Sequence, residues 1–288
     1  MAYSIKPDSI SLGDSFELMK YIPSSSCRCI VTGIPFGMTS LDWDNEIPYS
    51  DMWKQLLRIG TNDANFIFLT CGLPTHALVM SNPKLFKHTA PWIKSISSNQ
   101  LLCHHRPMCR HEDVTVFSRP KSPYNPQMII NRPPYIKGAH NFKTDDEGNA
   151  VFLNRFYENQ KLKPRQTDEK VFKYYPTSPL IFPSVCRNSK YRFHPTQKPL
   201  SLLLYLVASY SNKGDTVLDP FCGIGEALQA AQILNRKYIG IDITEKYVSK
   251  ARQILKNEDY HLPSQEVEAL SKFEMYETLK AYWDNKSK

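Results

Sequence analysis

No CxxC pair occurs in the 288 residues, and the cysteines, at positions 27, 29, 71, 103, 109, 186 and 222, are odd in number. Their spacing excludes a zinc ribbon and a small disulfide framework. One local cluster, Cys103, His104, His105, Cys109 and His111, has the residue types of a zinc site. Its spacing matches no common structural zinc pattern, and a loop ahead of a strand at Asp113 to Ser118 is the simpler reading; no metal is expected. The opening MAYSIKPDSISLGDS contains no apolar core of the kind a secretory signal needs. No apolar run approaches the roughly 20 residues that cross a bilayer. Internal repeats are also lacking. A soluble intracellular protein, cytoplasmic or DNA-associated and not secreted, is therefore expected.

Acidic side chains are the scarcer sign: 28 against 36 lysines and arginines, a formal net charge of +8 and a pI near 9.0. That balance favours a polyanionic partner without requiring one. A hydrophobic content of 41% with 22% charged residues supports a packed body. The length suits one large α/β domain, or a core with one lobe.

CRCIVT, from Cys27 to Thr32, reads as a short buried strand stopped by Gly33-Ile34-Pro35-Phe36-Gly37. Ser50 and Asp51 are candidate caps for a helix carrying Trp53, Leu56, Leu57 and Ile59 at helical spacing. Asn65 to Thr70 and Asp113 to Ser118 are further strands. The alternation predicts a parallel-type sheet with helices on both faces. From about 119 to 190 periodicity gives way to dense proline, with basic residues such as Lys161, Lys163 and Arg165 interleaved with aromatics such as Tyr124, Phe156 and Tyr175. Such a segment can track phosphates and stack on bases. Order returns at His194. Pro199 suits the first turn of a leucine-rich helix. Strands follow at Thr216 to Leu218 and Tyr238 to Ile241, flanking a helix at Glu226 to Leu234. Thr244 is placed to cap the next helix. After Leu255, the residues Val267, Leu270, Phe273, Tyr276 and Leu279 predict an amphipathic tail helix.

The strongest constellation is VLDPFCGIGE followed by YIGID. A strand enters a glycine turn, a helix follows, and the next strand ends on a carboxylate about 20 residues on, the logic of a nucleoside-cofactor site. Asp242 is placed to accept from a ribose diol, and Asp219 to face a positively charged amino-acid end. A dinucleotide site would carry GxGxxG; its absence favours S-adenosylmethionine over NAD.

HPTQKP, from His194 to Pro199, then a helix, then DPFCGIG, resembles the DNA methyltransferases that modify exocyclic amines. The order, with TGIPFG at 32–37 and the basic segment ahead of the cofactor motifs, resembles the permuted class of that family. Leu12-Gly13-Asp14-Ser15, the string MTSLDWD from Met38 to Asp44, and His111-Glu112-Asp113 add to the likeness, which spans about residues 10–255. The resemblance implies a Rossmann-like α/β methyltransferase sheet carrying an irregular target-recognition insertion. It divides the chain into a catalytic half (1–118), the insertion (119–190), a cofactor half (191–255) and a helical tail (256–288). It implies S-adenosylmethionine held by Asp14, His194, Thr196, Lys198, Asp219, Phe221, Gly223, Gly225 and Asp242. It places a flipped base at Gly33, Ile34, Pro35 and Phe36, with double-stranded DNA on Lys161, Lys163 and Arg165 as partner and room for a homodimer. N6-adenine is the favoured target over N4-cytosine.

The catalytic string departs from the family pattern of Asp, Asn or Ser, then Pro-Pro, then Tyr or Phe. An exocyclic amine is a poor nucleophile because its lone pair is delocalised, so side-chain and backbone oxygens accept its hydrogens as it attacks. Phe36 still offers a stacking ring and Ile34 a carbonyl, but Gly33 supplies no side-chain acceptor. Glu226 stands where the family usually has Thr. The Arg132-Pro133-Pro134-Tyr135 string imitates the motif but lies inside the insertion. Three readings stay open: an enzyme in which Thr32 or a water replaces the acceptor, a catalytically impaired DNA-binding protein on the same scaffold, and a non-catalytic subunit.

Overall fold

The computed structural model describes residues 4–37, 41–130, 142–144, 150–152, 173–258 and 260–286. Strands β1 (Ser9–Leu12), β2 (Cys27–Thr32), β3 (Gly60–Thr70), β4 (Phe86–Ser98) and β5 (Cys109–Ser118) come from the N-terminal part. Short strands β6 (Ile129–Ile130), β7 (Phe142–Thr144), β8 (Ala150–Phe152), β9 (Lys173–Tyr174) and β10 (Leu180–Ile181) follow, then β11 (Thr216–Asp219) and β12 (Lys237–Asp242). Eight of these form one sheet in the order β1-β12-β11-β2-β3-β5-β4-β10. Within it β5 alone runs antiparallel to its neighbours; every other pairing is parallel.

The helices are α1 (Ser15–Met19), α2 (Tyr49–Ile59), α3 (Leu73–Ser81), α4 (Leu200–Tyr210), α5 (Glu226–Ile233), α6 (Glu245–Asn257), α7 (Ser264–Leu270) and α8 (Met275–Lys286). Alternation along β2 assigns them to faces. Cys29 and Val31 pack with α4, α5, α7 and α8, whereas Ile30 packs with Met19 of α1, with α2 and with Leu78 of α3. Every residue of α4 is buried, as an all-round apolar helix requires. The α/β sheet with helices on both faces is thus the architecture expected.

Local details differ from expectation. The first long helix begins at Tyr49, and no side chain caps it: Pro48, already at φ −71, takes the cap position and its carbonyl receives Met52 N–H at 3.0 Å. Ser50 and Asp51 therefore sit in the first turn. Thr244 is the N-cap of α6 but makes no side-chain cap bond; Asp242 Oδ1 accepts the Thr244 N–H instead, at 2.8 Å. The expected tail helix is two helices. Phe273 leaves the helical path between them to bridge Ile129 and to stack on Phe182, 5.9 Å between centroids. Strand β10 and the buried Phe182 lie inside the proline-rich stretch, whose lost period hid them. Cys109 and His111 lie on β5, not in a loop before it.

Candidate functional site

Strands β1, β12, β11, β2 and β3 are mutually parallel, so their carboxyl ends open on one edge. The N-terminal and C-terminal parts of the chain meet between β2 and β11, the kind of switch point where open α/β sheets bind ligands. At this edge β2 delivers Gly33 to Phe36, β11 delivers Asp219 to Gly225, β12 delivers Asp242, and β1 delivers Gly13 and Asp14. Gly13 N–H donates to the Asp242 carbonyl at 3.0 Å, and the Ser15 hydroxyl donates to the Pro220 carbonyl. Asp14 caps α1 through Glu17 N–H at 2.9 Å.

Asp219 is only 6% exposed. Its Oδ1 accepts from the Thr32 hydroxyl at 2.7 Å and from Phe221 N–H at 3.1 Å. Burial pushes the carboxyl up to about 7, against these two bonds. Asp242 accepts Gly223 N–H at 2.8 Å and Thr244 N–H at 2.8 Å, and burial raises it as well. Gly223 and Gly225 stand at φ +53 and +79, left-handed values that glycine adopts freely. A Cβ on Gly223 would sit 3.6 Å from the His194 ring, so the turn is a cradle pressed under that ring. Two carboxyls with spare lone pairs beside bare backbone fit a ligand bearing an ammonium and a diol.

The loop from His194 to Pro199 closes over this turn. Gln197 fastens it, taking Phe193 N–H at 2.8 Å and donating to the Tyr191 carbonyl at 3.1 Å. The His194 ring meets Trp43 at 5.2 Å and Tyr247 edge-on at 4.3 Å. Burial, then the charges of Lys198 and Arg192, lower its imidazole to about 4, so the ring is neutral and Nδ1 accepts Thr196 N–H at 3.2 Å. Lys198 donates to Glu112 Oε2 at 2.7 Å, and Lys94 donates to the other oxygen at 3.3 Å. Burial alone would raise the Glu112 carboxyl; the two ammoniums hold it below its ordinary range.

In the Gly33 to Phe36 loop, Ile34 is 2% exposed, and Phe36 is half-buried. Asp44 Oδ1 accepts both Phe36 N–H, at 2.7 Å, and Gly37 N–H, at 3.0 Å, which fixes the loop. Gly33 lies outside the left-handed region, and a Cβ there would meet only the Lys198 Cε, at 3.7 Å. The Thr32 hydroxyl, 1% exposed, is bonded to Asp219. The edge thus brings together Asp14, Gly33, Ile34, Pro35, Phe36, His194, Thr196, Lys198, Asp219, Phe221, Gly223, Gly225 and Asp242. Lys161, Lys163, Arg165 and the string from Arg132 to Tyr135 lie outside the described residues. The sequence reading missed the fastening roles of Asp44, Glu112 and Gln197, although each stands in a string that carried the resemblance.

Comparison with known proteins gives this edge its context. The type II methyltransferase M.HpaI of Haemophilus parainfluenzae is 30% identical over 258 residues, covering 85% of this chain and 73% of that protein. The DNA adenine methyltransferase YhdJ of Escherichia coli is 46% identical over 59 residues, 20% of each chain. Among solved structures, the M1.HpyAVI–SAM complex superposes with a TM-score of 0.56 at 18% identity, over 86% of this chain and 98% of that one. The cytosine-N4-specific PvuII DNA methyltransferase superposes at 0.59 and 14% identity, over 96% and 94%. These structural likenesses support the fold. The profile described as DNA methylase (N6_N4_Mtase) matches residues 27–253. With most of its length so matched, and a relative at 30% identity along most of both chains, this protein belongs to the N6/N4 DNA methylase family.

Proposed function

We propose that the protein binds S-adenosylmethionine and transfers its methyl group to an exocyclic amine of a flipped base in double-stranded DNA, with N6-adenine as the favoured target. The observation that carries this reading is the convergence at one sheet edge of the Asp219–Gly225 turn, Asp242, the His194–Lys198 loop and the Gly33–Phe36 loop. When bound, the cofactor supplies a methyl on a sulfonium. Asp219 faces the ammonium of its amino-acid end, and Asp242 accepts from its ribose. Asp14, Phe221, Gly223 and Gly225 line it, while His194, Thr196 and Lys198 close over it. Phe36 stacks on the flipped base, and the Ile34 carbonyl takes one amine hydrogen. The basic stretch with Lys161, Lys163 and Arg165 tracks phosphates as the target-recognition region between the catalytic and cofactor halves.

Gly33 leaves the second amine hydrogen without a side-chain acceptor. Loss of one preorganised acceptor costs about 2.7–4 kcal/mol, or roughly 100- to 1,000-fold in rate. A specific observation favours a second reading, a DNA-binding protein with little chemistry: the Thr32 hydroxyl, next in sequence to Gly33, is 1% exposed and bonded to Asp219. Labelled methyl transfer to mixed duplex DNA tests both readings, with N6-methyladenine and N4-methylcytosine separated in the digest. Slow transfer is expected. Cofactor and DNA binding with no transfer at any concentration would establish the second reading. DNA affinity should fall steeply with salt, log affinity dropping by about 0.9 per phosphate neutralised.

A further inference from the structure

Cys71 follows the last residue of β3 and Cys109 opens β5, and their Sγ atoms lie 3.8 Å apart across 38 residues of chain. β3 runs parallel to β2, and β5 runs antiparallel to β3. The end of β3 and the start of β5 therefore share the sheet edge at which β2 delivers Gly33. Both cysteines are half-buried, and both are held in place. The hydroxyls of Thr70, the residue before Cys71, and Thr75 share a 2.9 Å bond, and Thr75 donates onward to Asp113 Oδ2 at 2.7 Å. Cys109 Sγ donates to the His111 carbonyl at 3.1 Å, and the Cys109 carbonyl accepts from the Ser98 hydroxyl at 3.2 Å. Disulfide sulfurs sit about 2.05 Å apart, so closure asks for a movement of about 1.8 Å.

We propose that Cys71 and Cys109 are a redox modification site: a peroxide closes them to a disulfide, and the bond weakens cofactor binding through Glu112. The second half rests on the cofactor reading above. The thiolate of one cysteine attacks a peroxide oxygen, the O–O bond breaks, and the departing hydroxide takes the thiol's proton and leaves as water. The neighbouring sulfur attacks the sulfenic acid so formed; the S–O bond breaks, and a second water leaves with the second thiol's proton. One peroxide is reduced and two thiols are oxidised. Burial, then the neighbouring Cys109, raise the Cys71 thiol, which slows the reaction without preventing it. Small thiols reverse it by exchange. Glu112 lies three residues beyond Cys109 on β5, and the charges of Glu112 and Lys94 both act on the Cys71 thiol. The pair thus borders the carboxylate that grips Lys198 at 2.7 Å, already the optimum for a charge-assisted bond. Displacing the start of β5 weakens that grip in whichever direction it moves, and the His194–Lys198 loop loses its tie.

The test treats the full chain with hydrogen peroxide and maps disulfides by mass spectrometry of the non-reduced digest. Wild type, Cys71→Ser, Cys109→Ser and Cys103→Ser are compared. Wild type and Cys103→Ser should yield the Cys71–Cys109 cross-link and lose two free thiols per chain, restored by dithiothreitol. Cys71→Ser and Cys109→Ser should yield no cross-link. Calorimetry with S-adenosylhomocysteine reads the consequence. Oxidised wild type should bind about fivefold more weakly than reduced, or worse, on the usual scale of coupling between sites. The same treatment should leave the affinity of Cys71→Ser unchanged. No cross-link at peroxide levels that oxidise the exposed Cys186 would overturn the site, as would a bond to Cys103 instead. A cross-link that leaves wild-type affinity unaltered would overturn its coupling to the cofactor edge. Reduced protein that binds no S-adenosylhomocysteine would remove the cofactor reading, while the cross-link map would still decide the thiol pair.

Discussion

The Thr32 hydroxyl at the end of β2 donates a 2.7 Å hydrogen bond to Asp219 Oδ1 at the end of β11, so one bond ties the loop at Gly33 to the loop at Gly223. Both residues are buried, and the two strands are neighbours in the sheet. The bond sets the position of the Asp219 carboxyl. Thr32→Val keeps the shape and deletes the donor. Asp219 should then rise further, and the fold should lose about 1–3 kcal/mol from an acceptor left short of a partner. Cofactor affinity should fall about tenfold. Denaturant unfolding and calorimetry read the two effects; unchanged cofactor affinity would show that Asp219 does not meet the ligand.

Buried acids at the cofactor edge make stability depend on pH. Asp219 is held at about 7 and Glu226 at about 8, both far above their unfolded values near 4. A raised acid keeps its proton in the fold after the unfolded chain has released its own. Its contribution is complete below about pH 4, shrinks steadily above that, and is gone once pH has passed 7 for Asp219 and 8 for Glu226. His194, lowered to about 4, acts in the opposite sense but only below its unfolded value near 6.5. The melting temperature of the ligand-free protein should therefore fall between about pH 6.5 and 8, and Glu226→Gln should flatten the upper part of that slope. A flat or rising profile in wild type would contradict the burial of these acids.

Much of this architecture was readable from pattern. Cys27 to Thr32 announces a strand because Cys29, Ile30 and Val31 run together and Gly33 and Pro35 stop it. The turn at Gly223 and Gly225 announces itself because left-handed backbone demands glycine. Strand β4 was not readable: Phe86 to Ser98 has one mostly exposed face, a proline at 91 and a register shift between Ile93 and Ser98. The break at Phe273 was hidden for a different reason. Its three-residue apolar spacing continues across the break, and only the tertiary contact with Phe182 decides where the helix stops. In the site, the residues that meet a ligand stand in recognisable strings, but the acids that fix the loops do not announce their partners. Asp44 and Glu112 act on Phe36 and Lys198, which pattern alone does not pair with them.

The Glu112 carboxylate holds two part-buried ammoniums, Lys198 at 2.7 Å and Lys94 at 3.3 Å. Glu112→Gln removes the charge and leaves both cations beside each other. Breaking a buried pair from one side typically costs about 3–5 kcal/mol, and the residual exposure here, 18% and 20%, places the expected loss at the lower end. Lys198→Met in the same chain should recover part of it, because one orphaned charge is removed. Urea midpoints for the two single variants and the double variant supply the cycle. Strict additivity would mean that Lys198 and Glu112 are not coupled in the folded protein.

Gly33 is the position where one side chain should change the chemistry. Its backbone is outside the left-handed region, and an added Cβ meets only the Lys198 Cε at an ordinary 3.7 Å. Gly33→Asp should therefore fold, and its carboxylate should settle near the Lys198 ammonium, which lowers its own proton affinity. Ile34 is different: it is 2% exposed in the core packed against α2, so Ile34→Pro would remove buried apolar contact and is better left out. The single change should supply the missing acceptor and raise methyl transfer by roughly 100-fold or more, with melting temperature close to wild type. Phe36→Ala added to it should abolish the gain, because the flipped base loses its stacking ring. A folded Gly33→Asp protein that binds cofactor and DNA without faster transfer would refute the single-missing-acceptor account. It would direct attention to Lys198, whose pairing with the new carboxylate would then be blocking the acceptor, and Lys198→Met in that background would separate the two.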